Sequence, residues 1–138
     1  MGNSQSIQKI NFEYMQDEII ANSSYIISTL PNESQGCLIQ GTLSPSREVE
    51  ILNNNLKTNK RLKLIIYAMN ACDDSLATKC RQLLKLGYTN LYIYAGGLFE
   101  WLLLQEIYGI ELFPTSSPCQ DHLKYKGYKN NKLLLLPK

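Results

Sequence analysis

Residues 62–109 read LKLIIYAMNACDDSLATKCRQLLKLGYTNLYIYAGGLFEWLLLQEIYG, and this stretch decides the fold. Residues 62–67 are almost wholly apolar toward their end, as a central parallel strand buried on both faces must be. Asp73 or Asp74 caps a helix whose apolar positions Leu76, Cys80, Leu83 and Leu84 recur at helical spacing, and Gly87 stands as its C′ residue. A second strand follows at 91–94, then a Gly96-Gly97 turn and a helix over 98–108. Strands alternating with helices of this length imply right-handed crossovers and a parallel sheet covered on both faces. In such a unit the loop after the first strand, here 68–75, is where the chemistry sits.

Upstream, residues 25–30 are a β-rich run stopped by Pro31-Asn32, which predicts a buried strand. Residues 37–43 are short and apolar with Gly41 inside and Ser44-Pro45 after, which predicts a brief, bent strand. Ser46 is the expected N-cap of a helix over 47–56. Apolar positions at Ile10, Tyr14, Ile19 and Ile20 fit a strand followed by a short helix. The division expected is a flexible N-terminus over 1–18, a folded domain over 19–113 and a basic tail over 114–138.

At 138 residues the chain has room for one domain with a modest core. Its 44% apolar and 19% charged residues are those of a globular protein and exclude a disordered one. A net charge of +2 is too small to argue for nucleic acid. Cys37, Cys72, Cys80 and Cys119 form no CxxC pair and His122 is the only histidine, so neither a zinc site nor a Cys-His dyad is supported. No metal or cofactor is expected. The thiols are expected free, in a reducing compartment, which places the protein in the cytoplasm. No secretory signal opens the sequence, and no apolar run approaches a membrane span.

The run from Ile65 to Trp101 resembles the rhodanese-like domain. That family shows an apolar strand ending at a catalytic Cys, a tight loop, a helix, then Gly-Tyr/Phe, a strand, and Gly-Gly with a Trp about four residues on. This chain supplies Ile65-Ile66-Tyr67, KLGYTNLYIY over 85–94, Gly96-Gly97 and Trp101. Residues 25–30 stand where the family has its Leu-Ile-Asp-Val-Arg strand, and CLIQGTLSP over 37–45 stands where it has Gly-His-Ile-Pro-Gly-Ala. The resemblance covers residues 19–113 and implies a three-layer α/β/α domain with a mainly parallel central sheet. It also implies transfer of sulfur, or release of phosphate in the related mitotic dual-specificity phosphatases.

Departures from the pattern fall on the chemistry. Ala68 comes directly after the strand, where the resemblance places the nucleophilic Cys. Ser28, Leu30 and Leu38 replace the usual Asp, Arg and His. Asp74 falls where the phosphatase-like loop would hold its anion-binding Arg, while Ser75 matches. The loop Ala68, Met69, Asn70, Ala71, Cys72, Asp73, Asp74, Ser75 would cradle an anion with its N–H groups and the N-terminus of the next helix. Ala68 cannot carry a persulfide, and each carboxylate at the cradle's mouth costs an anion about 1 kcal/mol at 4 Å in water. Cys72 is the candidate substitute: the helix dipole lowers its pKa and the two aspartates raise it. Two functions arise as expectations, a non-catalytic binding or regulatory module and a divergent sulfurtransferase with Cys72 as persulfide carrier.

Tyr92, Tyr94, Phe99 and Trp101 form either core packing or an aromatic rim for a partner. Leu102, Leu103 and Leu104 make the last helix apolar nearly all round, and an exposed strip there would be an interaction surface. A protein partner is therefore expected. Residues 1–6, MGNSQS, fit the myristoylation pattern at Gly2. One acyl chain binds membrane with K on the order of 10⁴ M⁻¹, so a second signal is needed. The tail offers one: Lys124, Lys126, Lys129, Lys132 and Lys138 face Asp121 alone, with leucines at 133–136. The tail reads either as a solvated segment or as a patch for an anionic surface, with membrane ahead of nucleic acid.

Overall fold

The computed structural model describes residues 7–31 and 34–118. Strands β1 (Ile7–Ile10), β2 (Tyr25–Ser28), β3 (Leu64–Tyr67) and β4 (Leu91–Tyr94) form a parallel four-stranded sheet in the order β1-β4-β3-β2. Helices α1 (Phe12–Ala21), α2 (Pro45–Asn55), α3 (Ser75–Lys85) and α4 (Gly97–Tyr108) alternate with them. From β1 the chain crosses to the far edge at β2 and steps back through β3 to β4. Right-handed crossovers therefore put α1 on one face and α2 and α3 on the other. α4 packs on the face of α1.

The apolar run of β3 is split between those faces by the two-residue period of a strand. Ile65 and Tyr67 join Met15 of α1 and Leu98, Trp101 and Leu102 of α4 in one core cluster. Leu64 and Ile66 join Leu52 of α2 and Cys80 and Leu83 of α3 in the other. Neighbouring strands keep this register, with Ile26 opposite Ile65 and Ile65 opposite Tyr92. The result is the three-layer α/β/α architecture with a parallel sheet.

Several local readings shift. The sheet already includes Ile7–Ile10, paired with β4, so folded structure reaches well into the stretch 1–18 expected to be flexible. α1 is fixed at both ends by asparagines: Asn11 Oδ1 accepts from the Tyr14 amide at 2.9 Å, and Asn22 ends it at φ 53°. At the other end, Thr115 bridges Ile39 and the Ser116 amide donates to the Leu38 carbonyl at 2.8 Å, beyond residue 113. Residues 37–43 form isolated bridges to Thr115 and Ile26 instead of a strand. The N-cap of α2 is Ser44, not Ser46: its Oγ accepts from the Arg47 amide at 3.3 Å and Pro45 occupies the first turn.

Cys72 and Cys80 are free thiols, but Cys37 is disulfide-bonded, which corrects the expectation of free cysteines throughout. Its bend lies against residues 115–117, where the Cys37 sulfur also sits 3.5 Å from the Ser117 carbonyl. The partner sulfur lies outside the described residues, as do Gly2 and residues 119–138 of the basic tail. No helix among the described residues is long and apolar enough to cross a membrane.

Candidate functional site

The loop 68–75 leaves the end of β3 and is clamped from above by α4. The Leu98 amide donates to the Ala68 carbonyl at 3.0 Å and the Phe99 amide to the Met69 carbonyl at 2.9 Å. These are first-turn amides of α4 that the helix itself cannot pair. The approach depends on Gly97, at φ +72°, where an added Cβ would meet the Ala68 oxygen at 2.7 Å and the Asn70 Cα and N at 3.0 Å. The Gly-Gly turn is thus the seat of the loop. Ala68 beneath it is 1% exposed, and its methyl offers no chemistry.

Below the clamp the loop is closed by its own side chains. Asn70, 8% exposed, accepts the Cys72 amide on Oδ1 at 2.9 Å, which makes an Asx turn. The Asp73 carboxylate folds inward: Oδ1 accepts from the Ser75 amide at 2.9 Å, and Oδ2 from the Met69 amide at a longer 3.4 Å. Asp73 rather than Asp74 therefore serves the start of α3, since Asp74 makes no side-chain capping bond. Ser75 Oγ and Thr29 Oγ1 share a bond of 2.6 Å, tying the loop to the end of β2. The amides of Met69, Cys72 and Ser75 are accordingly occupied by side chains of the loop.

The other candidate, Cys72, is exposed at the tip of this loop and its thiol is free. Cys80 is buried on the inner face of α3, and that burial pushes its thiol pKa up. Of the aromatic residues, Tyr94 and Trp101 are core, with an edge-on ring contact at 5.9 Å, while Tyr92 and Phe99 are partly buried against it. Burial and the neighbouring Glu100 carboxylate, which accepts from the Tyr94 hydroxyl at 2.6 Å, push that phenol far above its ordinary range. On the outer side of α4 and just after it, Leu103, Ile107, Tyr108, Ile110 and Leu112 are exposed.

A second polar centre is not legible in the sequence. Tyr67 is fully buried, and burial pushes its phenol well above the usual value. Its oxygen accepts from the Ile39 amide at 3.1 Å and lies 2.7 Å from Thr42 Oγ1. Because Thr42 donates its own proton to the Ile39 carbonyl at 2.6 Å, Tyr67 donates to Thr42. This network holds residues 39–42 over the end of the sheet. The strand pattern gives Tyr67 an inward side chain but no signal for a partner.

Solved structures share this architecture. The Alr3790 protein from Anabaena sp. matches with a TM-score of 0.58 at 16% identity, over 83% of this chain and 97% of that one. A solution structure of the rhodanese-like domain of Alr3790 matches with a TM-score of 0.55 at 15% identity, over 82% and 87%. Ygr203w, a yeast protein tyrosine phosphatase of the rhodanese family, matches with 0.58 at 13% identity, over 83% and 94%. The fold is rhodanese-like. Neither a protein-family model nor a curated protein matches the chain. Within this rhodanese-like domain the loop 68–75 occupies the C-terminal end of the central strand, where open α/β sheets bind ligands.

Proposed function

We propose that this chain is a non-catalytic rhodanese-like binding or regulatory module. One observation carries the proposal. The loop that would cradle an anion has an alanine after the strand, and its amides at Met69 and Ser75 are taken by the carboxylate of Asp73. An incoming sulfonate or phosphate would have to displace a built-in anion that forms two hydrogen bonds, and would meet its charge. The exposed apolar side chains on and after α4, Ile107 and Tyr108 among them, offer a protein partner a contact surface.

The second reading rests on Cys72, whose exposed free thiol is in the right loop. In that reading the Cys72 thiolate attacks the sulfane sulfur of thiosulfate, the sulfur–sulfur bond breaks, sulfite leaves and a persulfide remains. A thiosulfate–cyanide sulfurtransferase assay on the intact protein and on Cys72→Ser separates the two. The module reading requires no turnover from either protein. Turnover that disappears with Cys72→Ser would establish the persulfide carrier in its place. Membrane tethering through Gly2 belongs to the same proposal, and co-expression with an N-myristoyltransferase followed by intact-mass measurement tests it; an unmodified mass removes the tether.

A further inference from the structure

Beside the loop, on the α2–α3 face, lies a cleft of about 460 Å³, within the range of small-molecule sites. It opens between the first turns of α2 and α3, with the end of β2 as its floor. Its charges are already spent. Lys79 of α3 and Glu48 of α2, which both line it, are paired with each other. Among the described residues that line it, an anion entering the cleft finds no free cation, and a cation finds no free carboxylate.

What the cleft does offer is neutral hydrogen bonding on one side. Ser28 is 8% exposed, and its Oγ receives only a long 3.5 Å contact from Gln35 Nε2, with no acceptor for its own proton among the described residues. A buried hydroxyl left so costs free energy that a ligand acceptor would recover. The Thr29 and Ser75 hydroxyls share a single bond, so one of their two protons is left over among the described residues. The Gln82 side-chain amide, exposed on α3, has no partner among the described residues. The opposite wall is apolar, built from Leu43, Pro45 and Val49.

A site with neutral donors on one wall, hydrocarbon on the other and no free charge among its described lining residues selects an uncharged ligand that has a polar edge and an apolar face. We propose that the α2–α3 cleft binds an uncharged, hydroxyl-bearing ring compound of nucleoside or disaccharide size. The ligand sits with its hydroxyls against Ser28, Thr29 and Gln82 and its less polar face against Val49. The module reading supplies only the biological use of this site; the cleft's chemistry does not depend on whether the loop turns over.

The test uses the full chain, isotopically labelled, with amide chemical shifts followed as adenosine, sucrose, thiosulfate or phosphate is added. Either adenosine or sucrose should give saturable shifts centred on Ser28, Thr29 and Gln82 below about 10 mM, and the responding probe tells a nucleoside from a saccharide site. Thr78→Trp fills the cleft from an exposed helical position and should weaken binding about tenfold or more with the melting temperature kept. Ser28→Ala should weaken it as well. Failure of both neutral probes to saturate, tighter binding of thiosulfate or phosphate at the same residues, or binding unchanged in Thr78→Trp overturns the proposal. Sulfurtransferase turnover with these shifts intact would remove the module reading alone; a silent cleft without turnover would remove this inference alone.

Discussion

Gly97→Ala is the sharpest probe of how this loop is built. Gly97 lies at φ +72°, which costs a residue with a Cβ about 1–2 kcal/mol. Its new methyl would also face the Ala68 carbonyl oxygen at 2.7 Å and the Asn70 backbone at 3.0 Å, none of which is a flexible side-chain end. Relief requires α4 to lift from the loop, stretching the bonds from Leu98 and Phe99 to Ala68 and Met69. At about 1 kcal/mol for each bond, the total reaches about 3–4 kcal/mol. Gly109 supplies the control, because it lies at φ +101° but an added Cβ meets nothing within 4 Å. Gly109→Ala should therefore lose only the conformational part, about 1–3 kcal/mol for the glycine-only region at φ 101° and ψ 159°. Urea unfolding of both variants, with m-values checked for equality, measures the difference. Equal losses would refute the claim that the Gly-Gly turn exists to seat α4 on the loop.

Three further outcomes can be checked. Glu18→Gln should cost about 1–2 kcal/mol at pH 7, because Lys63 Nζ pairs with Glu18 at 2.8 Å and also bonds Tyr14 at 2.7 Å. Burial opposes the charge of Glu18, but the bonds from Lys63 and Ser23 prevail and lower its pKa below 4.5, so this stability is present above 4.5 and is lost as pH falls through the folded value. Denaturation of the wild type and the variant should thus converge in acid, and a constant gap would exclude the pairing as its source. Tyr67→Phe should cost about 1–3 kcal/mol by leaving the Ile39 amide without its acceptor, read by urea melts and by faster hydrogen exchange at Ile39. Asp73→Asn keeps the shape of the plug but removes its charge, so it should lose about 1–2 kcal/mol of stability and gain measurable sulfate binding in calorimetry. Unchanged anion affinity would show that the carboxylate is not what closes the loop.

Much of the sheet is legible because its signals are redundant. The run Leu64–Tyr67 is apolar at every position, and it supplies both core clusters by alternation, so no single substitution would hide it. Leu91–Tyr94, Gly87 and the Gly-Gly turn are fixed by punctuation that only a few backbone conformations satisfy. β1 carries almost no signal. Only Ile10 of its four residues is buried, and the strand is held by backbone pairing to β4 that no side-chain pattern announces. The cap of α2 lies two residues before the expected Ser46, although Ser44-Pro45 is the stronger cue, since a proline in the first turn makes the residue before it the cap. Residues 37–43 resemble a strand because apolar side chains there are buried, but they are buried under a bend pinned by Tyr67.

The site itself divides the same way. Ala68 is legible by position alone, because an apolar strand with a clear end marks the next residue as the first of the loop. The role of Asp73 is not, and the reason is physical. A carboxylate read from sequence is a charge at the mouth of the loop, where it would repel an anion from outside. Folded, it reaches two amides of its own loop, and so acts as the anion instead of its repellent. The distinction needs the Asx turn at Asn70, which reverses the chain so that residue 73 faces back toward 69. It also changes what a cysteine placed at position 68 would require. Ala68→Cys alone would place a thiol beneath a clamped carbonyl and beside amides already filled, so it should show no sulfurtransferase turnover. Only together with Asp73→Ala, which removes both acceptor oxygens, would the Met69 and Ser75 amides be open to substrate. Turnover from Ala68→Cys by itself, matching the double variant, would mean that the loop was never closed by Asp73.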